Sequence, residues 1–200
     1  MLLNDRHMLK VGITGGIGSG KTIVARIFGT LGIPVFNADR AAKYLMDTDA
    51  ELRSRLEAAF GTAIYDNGRV NRPLLASMVF PDPERLQLLN SIVHPRVIAW
   101  GEEWHRSQHA PYTLKEAALF FESGSYKSMD FIIGVYAPRE IRIRRVMERD
   151  GVTGQEVLER MSRQMDEEEK MKLCRFVITN DDIQSLIRQV SGLHETILKM

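Results

Sequence analysis

The chain of 200 residues carries 27 Lys and Arg against 26 Asp and Glu, a formal net charge of +1, so no global field draws it to nucleic acid or to an anionic membrane. Apolar residues at 44% and charged residues at 26% exclude a disordered or fibrous chain and leave one folded domain, with room for an insertion. The single cysteine, Cys174, excludes an internal disulfide and a Cys-rich metal site, and no apolar run approaches the roughly 18 residues of a membrane span.

No signal-peptide pattern opens the chain, which makes the cytoplasm the expected compartment. Met1 to His7 read as a loose leader, with Met1 or Met8 as the start. Leu9 to Thr14 reads as a short buried strand, followed by a glycine-rich turn and an amphipathic helix carrying Val24, Ile27, Phe28 and Leu31. Gly32 stops that helix, and Ile33 to Phe36 gives a second strand ending at Asn37-Ala38-Asp39.

From Arg40 to about Pro111 the pattern is mostly helical. Leu52, Leu56 and Phe60 fall at helical spacing before Gly61; Asn71 caps a turn through Pro73; Asp82 with Pro83 opens a long helix, bent near His94-Pro95. Strands return at about Thr113 to Phe121, Phe131 to Tyr136 and Arg175 to Ile178, with two helices between the last two. The second of these opens on the capping box Thr153-Gly154-Gln155-Glu156, and a final helix runs from about Ile183 to Leu198.

Alternating strands and helices predict an α/β fold of three α/β/α layers around a parallel sheet. The core covers about 8–39, 112–138 and 173–200; the helical stretch at about 40–111 is too long for a crossover and reads as an acceptor-binding insertion; about 139–172 forms a helical lid.

Gly15-Gly16-Ile17-Gly18-Ser19-Gly20-Lys21-Thr22 matches G-x-x-x-x-G-K-[ST] between a predicted strand and a predicted helix. Its glycines let backbone N–H groups turn inward as an anion nest, and the helix adds its positive end. By motif, Lys21 reaches the β- and γ-phosphates of a nucleoside triphosphate and Thr22 ligates Mg²⁺. The GTPase reading weakens because Thr179-Asn180-Asp181-Asp182 lacks the lysine of a guanine-recognition motif.

Asp39 ends the second strand, on the edge where ligands of open α/β sheets gather; it could take the proton of an attacking hydroxyl, or cap the helix beginning near Arg40. Arg142, Arg145 and Arg149 recur at i, i+3 and i+7 and make one cationic helix face, available to a phosphoryl group or balanced by nearby carboxylates. Glu122 could hold a magnesium water or the acceptor, or simply cap a turn. His94, beside Pro95, has a structural or acceptor-positioning role, and Trp100 and Trp104 read as core. Without a basic stripe, nucleic-acid binding has no support.

Together these residues resemble the dephospho-CoA kinases. The resemblance runs from Gly12 through Thr22 to Asn37-Ala38-Asp39 and Val93-His94-Pro95. It continues through Ala118 to Glu122, Arg145, Arg149-Asp150-Gly151, Arg160, Gln164 and Val177-Ile178-Thr179-Asn180. It implies a P-loop kinase that phosphorylates the ribose 3′-hydroxyl of dephospho-CoA with ATP and Mg²⁺, as a monomer or small homo-oligomer. It also implies Asp39 as base, Lys21 and Arg145 as catalytic partners, and His94 and Glu122 on the acceptor. ATP would be held by Gly16, Gly18, Ser19, Gly20, Lys21, Thr22, Ile23, Arg145, Arg149 and Asn180. The family usually has aspartate at Asn37 and Ala-Asp at Cys174-Arg175, departures that leave Asp39 in place.

Overall fold

A computed structural model describes residues 8–200; the expected leader, Met1 to His7, lies outside them. The described residues fall into two compact units, one formed by the chain up to Phe36 together with Gln108–Met200 and the other by Asn37–Ser107.

The first unit holds a five-stranded sheet in the order β2-β5-β1-β6-β7. Its strands are β1 (Leu9–Thr14), β2 (Val35–Asn37), β5 (Tyr112–Glu116), β6 (Phe131–Tyr136) and β7 (Phe176–Thr179), and β1 pairs in parallel with β5 and β6, as β6 does with β7. Strand residues alternate between faces, so Val11 and Ile13 of β1 enter one core with Leu114, Ile133 and Ile178. Val24 and Phe28 of α1 (Lys21–Thr30) and Val190 and Ile197 of α9 (Leu186–Leu198) cover that face. On the other face, the side chains that come nearest Gly12 are Ile132 and Phe120, and those nearest Gly134 are Met171 and Cys174. A parallel sheet clad on both sides is the predicted architecture.

Three helices, not the predicted two, link β6 to β7: α6 (Arg139–Asp150), α7 (Gly154–Met161) and α8 (Glu167–Lys172). Thr153 and Glu156 close the predicted capping box on α7. The six-residue α8 is shorter than the window over which helical periodicity registers, and its acidic run reads as a solvated face. The predicted strand from Thr113 to Phe121 ends at Glu116. The apolar Ala117 to Phe121 run is an irregular segment that still buries Phe120 completely.

The second unit contains α2 (Ala38–Thr48), α3 (Ala50–Phe60), α4 (Arg72–Val79), α5 (Pro83–Arg106) and a small hairpin of β3 (Tyr65–Asp66) and β4 (Arg69–Val70). Its helices start on polar caps. Asn37 accepts from the Arg40 amide at 2.8 Å, Asp49 from Leu52 at 2.9 Å, Asn71 from Leu74 at 3.2 Å and Asp82 from Glu84 at 3.0 Å. Each satisfies an amide that the first helical turn leaves unpaired. The hairpin was not anticipated, although Asn67 and Gly68, with φ of 48° and 79°, form the left-handed pair that a two-residue hairpin turn favours. The α5 helix continues through Pro95 to Arg106, and Tyr44 stacks on Trp100 with ring centroids 5.3 Å apart, so Trp100 is a half-buried packing residue.

Candidate active site

The C-terminal end of β1, flanked by β5 and β6, opens into the glycine-rich loop. Gly20, in the left-handed region at φ 90°, is the N-cap of α1, and no side chain caps its first amides. Those amides and the helix dipole point into the loop. Two neighbours exclude side chains here: a Cβ on Gly18 (φ 81°) would strike the Arg142 backbone, and one on Gly20 would strike the Asn180 amide.

Lys21 folds over the loop and donates to the carbonyls of Gly15 (2.7 Å) and Gly16 (3.3 Å). Thr22 donates its hydroxyl hydrogen to Glu116 Oε1 at 2.6 Å. Glu116 ends β5 and is 5% exposed. Sequence reading missed it because it was placed inside a longer strand. Hydroxyl and carboxylate oxygens 2.6 Å apart fit Mg²⁺, which takes hard oxygen donors and completes its shell with phosphates and water. A hydroxyl and one carboxylate are therefore enough protein donors.

The three α6 arginines expected on one face, Arg142, Arg145 and Arg149, each have a different setting. Arg142 is buried against Glu167, with its Nη1 3.4 Å from Oε2. Arg145 donates to Gly18 O (3.4 Å), to Asn180 O (3.2 Å) and Oδ1 (3.1 Å), and to Asp182. Arg149 pairs with Asp150 and its side chain is 62% exposed. Of these, Arg145 is the one whose side chain hydrogen-bonds to the loop. Asn180, buried after β7, donates its side-chain amide to Ser19 O at 2.7 Å and so ties that strand end to the loop.

Glu122 holds a position different from the one expected of an acceptor ligand. Its Oε1 accepts from the Met165 amide and from Lys170 Nζ, both at 2.9 Å. Burial alone would raise its pKa, but the Met165 amide and the Lys170 ammonium hold it below the ordinary value. Lys170, fully buried, also donates to Ala118 O at 3.2 Å. The residues expected to form a lid are bonded to the core by Arg145 on α6, through Gly18 and Asn180, and by Glu167 and Lys170 on α8, through Gly16, Ala118 and Glu122. Gly16, expected among the ATP contacts, has its amide on Glu167 Oε2 at 2.8 Å.

In the helical unit, Asp39 stands exposed in the first turn of α2. The cap of that helix is Asn37, so the capping alternative for Asp39 falls away. An asparagine caps a helix as well as the aspartate common at this position. His94 lies half-buried within α5, directly before Pro95. At the second departure, Cys174 is half-buried and burial pushes its thiol up to about 12, while Arg175 lies over the Phe131 ring at 5.3 Å.

Among the described residues, no helix is long and apolar enough to cross a membrane. The family model described as dephospho-CoA kinase matches residues 9–185. A dephospho-CoA kinase of Bacteroides fragilis is 36% identical over 92% of this chain and 91% of its own length. One of Thermus thermophilus is 39% identical over 92% and 91%. A solved Thermus thermophilus structure superposes with TM-score 0.84 at 37% identity, covering 98% of this chain and 99% of that one. Shikimate kinase from Acinetobacter baumannii, at 13% identity and TM-score 0.54, shares the fold alone.

Proposed function

This chain belongs to the dephospho-CoA kinase family and is an ATP-dependent kinase, and from that premise we propose that it phosphorylates the ribose 3′-hydroxyl of dephospho-CoA, giving coenzyme A and ADP, as a cytoplasmic Mg²⁺-dependent enzyme. The observation that carries the reading is the assembly of Lys21, the Thr22–Glu116 pair and Arg145 around one phosphate loop, in a chain the family matches over residues 9–185.

Phosphoryl transfer depends on positioning and on stabilising charge spread over the transferring oxygens. The loop from Gly18 through Thr22 to Ile23 receives the triphosphate, with Ser19 and Gly20 turned by Asn180. Lys21 leaves the carbonyls of Gly15 and Gly16 for the phosphate oxygens, a motion a four-carbon stem permits. Arg145 stands beside Gly18 and stabilises charge on the γ-phosphoryl group. Arg149 lies one helical turn farther along and joins after leaving Asp150.

Thr22 and Glu116 would hold Mg²⁺, Thr22 through its hydroxyl and Glu116 directly or through a bound water. A Mg²⁺ held there would supply positive charge against the phosphate oxygens. Asp39 orients the acceptor hydroxyl and takes its proton as transfer proceeds. Its exposed carboxylate, unused as a helix cap, supports that role. His94 and its neighbours in the helical unit position the acceptor, and Glu122 supports the loop unit through Lys170 and Met165.

The test is ADP release by the purified chain with Mg-ATP and a panel of dephospho-CoA, shikimate and nucleoside monophosphates. Release with dephospho-CoA alone is expected; release with another acceptor, or tight ATP binding without turnover, would sink the assignment.

A further inference from the structure

Two side chains from the segment after α7 reach back to the phosphate loop across most of the chain. Glu167 Oε2 accepts from the Gly16 amide at 2.8 Å and Gln164 Oε1 from the Ile17 amide at 3.0 Å. These are the N–H ends of two successive peptide groups whose C=O ends are the carbonyls of Gly15 and Gly16, and both carbonyls accept from Lys21 Nζ. A trans peptide is planar, with its N–H and C=O on opposite sides, and no cis bond occurs among the described residues. Fixing the N–H of each group therefore aims the carbonyl the other way, at Lys21.

We propose that Gln164 and Glu167 are positioning residues for Lys21: they clamp the Gly15–Gly16 and Gly16–Ile17 peptide planes, and so set where the loop's ammonium waits and how readily it passes to the phosphates of ATP. The proposal rests on the reading of Lys21 as the phosphate-contacting lysine.

Three features make the clamp stiff. Glu167 is 7% exposed and is backed by Arg142, itself 8% exposed, so its carboxylate has little freedom to turn. Its neighbour on α8, Lys170, is anchored to Glu122 and Ala118 O, which fixes the helix that carries Glu167. A side chain on Gly16 would collide with both Glu167 and Arg142, so glycine there gives the carboxylate access to the backbone. Neither clamping residue need touch ATP, and both act through the loop's peptide groups.

Gln164→Leu, Glu167→Ala, Glu167→Gln and Lys21→Ala are compared with the wild-type chain by calorimetric Mg-ATP binding, by KM and kcat, and by the rate at which acetic anhydride labels Lys21. Gln164→Leu removes no charge and remains informative where loss of the buried Glu167 weakens folding. Gln164→Leu and Glu167→Ala are expected to weaken ATP binding about tenfold, the loss of one hydrogen bond that holds geometry, with KM rising more than kcat falls and Lys21 labelled faster. Glu167→Gln keeps an acceptor oxygen and is expected to stay within about threefold of wild type.

Wild-type affinity and Lys21 labelling in both Gln164→Leu and Glu167→Ala would overturn the proposal. So would a Glu167→Gln protein as impaired as Glu167→Ala, because charge pairing with Arg142 would then be the whole effect. Lys21→Ala separates the two readings: unchanged ATP affinity there would defeat the phosphate-loop role itself, while lost affinity there with wild-type behaviour in the clamp variants defeats only the clamp.

Discussion

In the unit that carries the phosphate loop, Glu122, Lys170, Glu167 and Arg142 alternate in sign, and three of the four are at least nine-tenths buried. In the helical unit, Asp47 and Asp49 pair with Arg72 and Arg96 at 2.8 and 2.6 Å, and both arginine side chains are 42% exposed. A buried charge that loses its partner stays in a medium that cannot solvate it, whereas an exposed one turns to water. The first kind of pairing fixes geometry to the precision phosphoryl transfer demands. The second ties helix starts to their neighbours, Asp49 at the cap of α3 to Arg96 on α5 and Arg72 at the start of α4 to Asp47 on α2.

The comparison breaks most readily at Asp39, the residue of the helical unit for which a chemical role is proposed. Asp39→Asn keeps the shape of α2 and its Asn37 cap and removes the proton acceptor, so kcat is expected to fall roughly 10²–10⁴-fold with the circular dichroism melt unchanged. Near-wild-type turnover by that folded variant would leave the helical unit with recognition alone. Next in size is Glu122→Gln, which leaves the fully buried Lys170 ammonium without its carboxylate and is expected to cost about 3 kcal/mol of stability in urea denaturation. Asp49→Asn keeps an α3 cap and leaves Arg96, whose side chain is 42% exposed, to turn to water, so it should move the midpoint less. Equal losses in the two variants would erase the distinction between the units.

The same contrast explains what could be read from the sequence. Asn71, Asp82 and Thr153 were legible as caps because a cap and its amide lie two or three residues apart. Gly15 to Thr22 was legible because the motif is contiguous. Glu116 and Glu167 were not, and Gln164 entered only as part of a family resemblance. Their partners Thr22, Gly16 and Ile17 lie 94, 151 and 147 residues away in the chain, and nothing local marks them. Arg142, Arg145 and Arg149 of α6 show both sides: helical spacing put them on one face, but only packing gives Arg142 a buried carboxylate, Arg145 a bond to the loop and Arg149 an exposed setting.

Glu116→Gln sharpens the comparison inside the loop unit. The amide still accepts from Thr22 but brings no charge to a metal. Mg²⁺ dependence of activity, and Mn²⁺ affinity of the ATP complex read by electron paramagnetic resonance, are each expected to weaken about 10–100-fold, the range for residues that orient a metal's ligands. Unchanged Mn²⁺ affinity would remove Glu116 from the metal site and leave it a partner of Thr22 only.

The smallest effect expected is in acid, where carboxyls of both units are held below their ordinary values and Glu167 alone among them is raised. The Leu52 amide and then the Arg96 guanidinium hold Asp49 below the ordinary 3.8. Asp47 is held down by the Val70 amide and Arg72 against the opposing effect of burial. A carboxyl with a lowered folded pKa stabilises above its unfolded value, and that contribution is lost as pH falls through the folded one. Glu167 runs the other way. Burial raises it above 4.5 despite Arg142 and the Gly16 amide, so its contribution is fully present below 4.5 and is lost as pH rises through the folded pKa. Both tryptophans, Trp100 and Trp104, lie in α5, so their fluorescence reports the helical unit, while amide exchange at β1 and β6 reports the other. Between pH 5 and about 3 the helical unit should weaken, and Asp49→Asn should remove part of that acid-side loss. A tryptophan signal whose acid-side loss is the same in Asp49→Asn as in the wild type would mean that other carboxyls set the acid limit, with the β1 and β6 amides reporting whether Glu122 is among them.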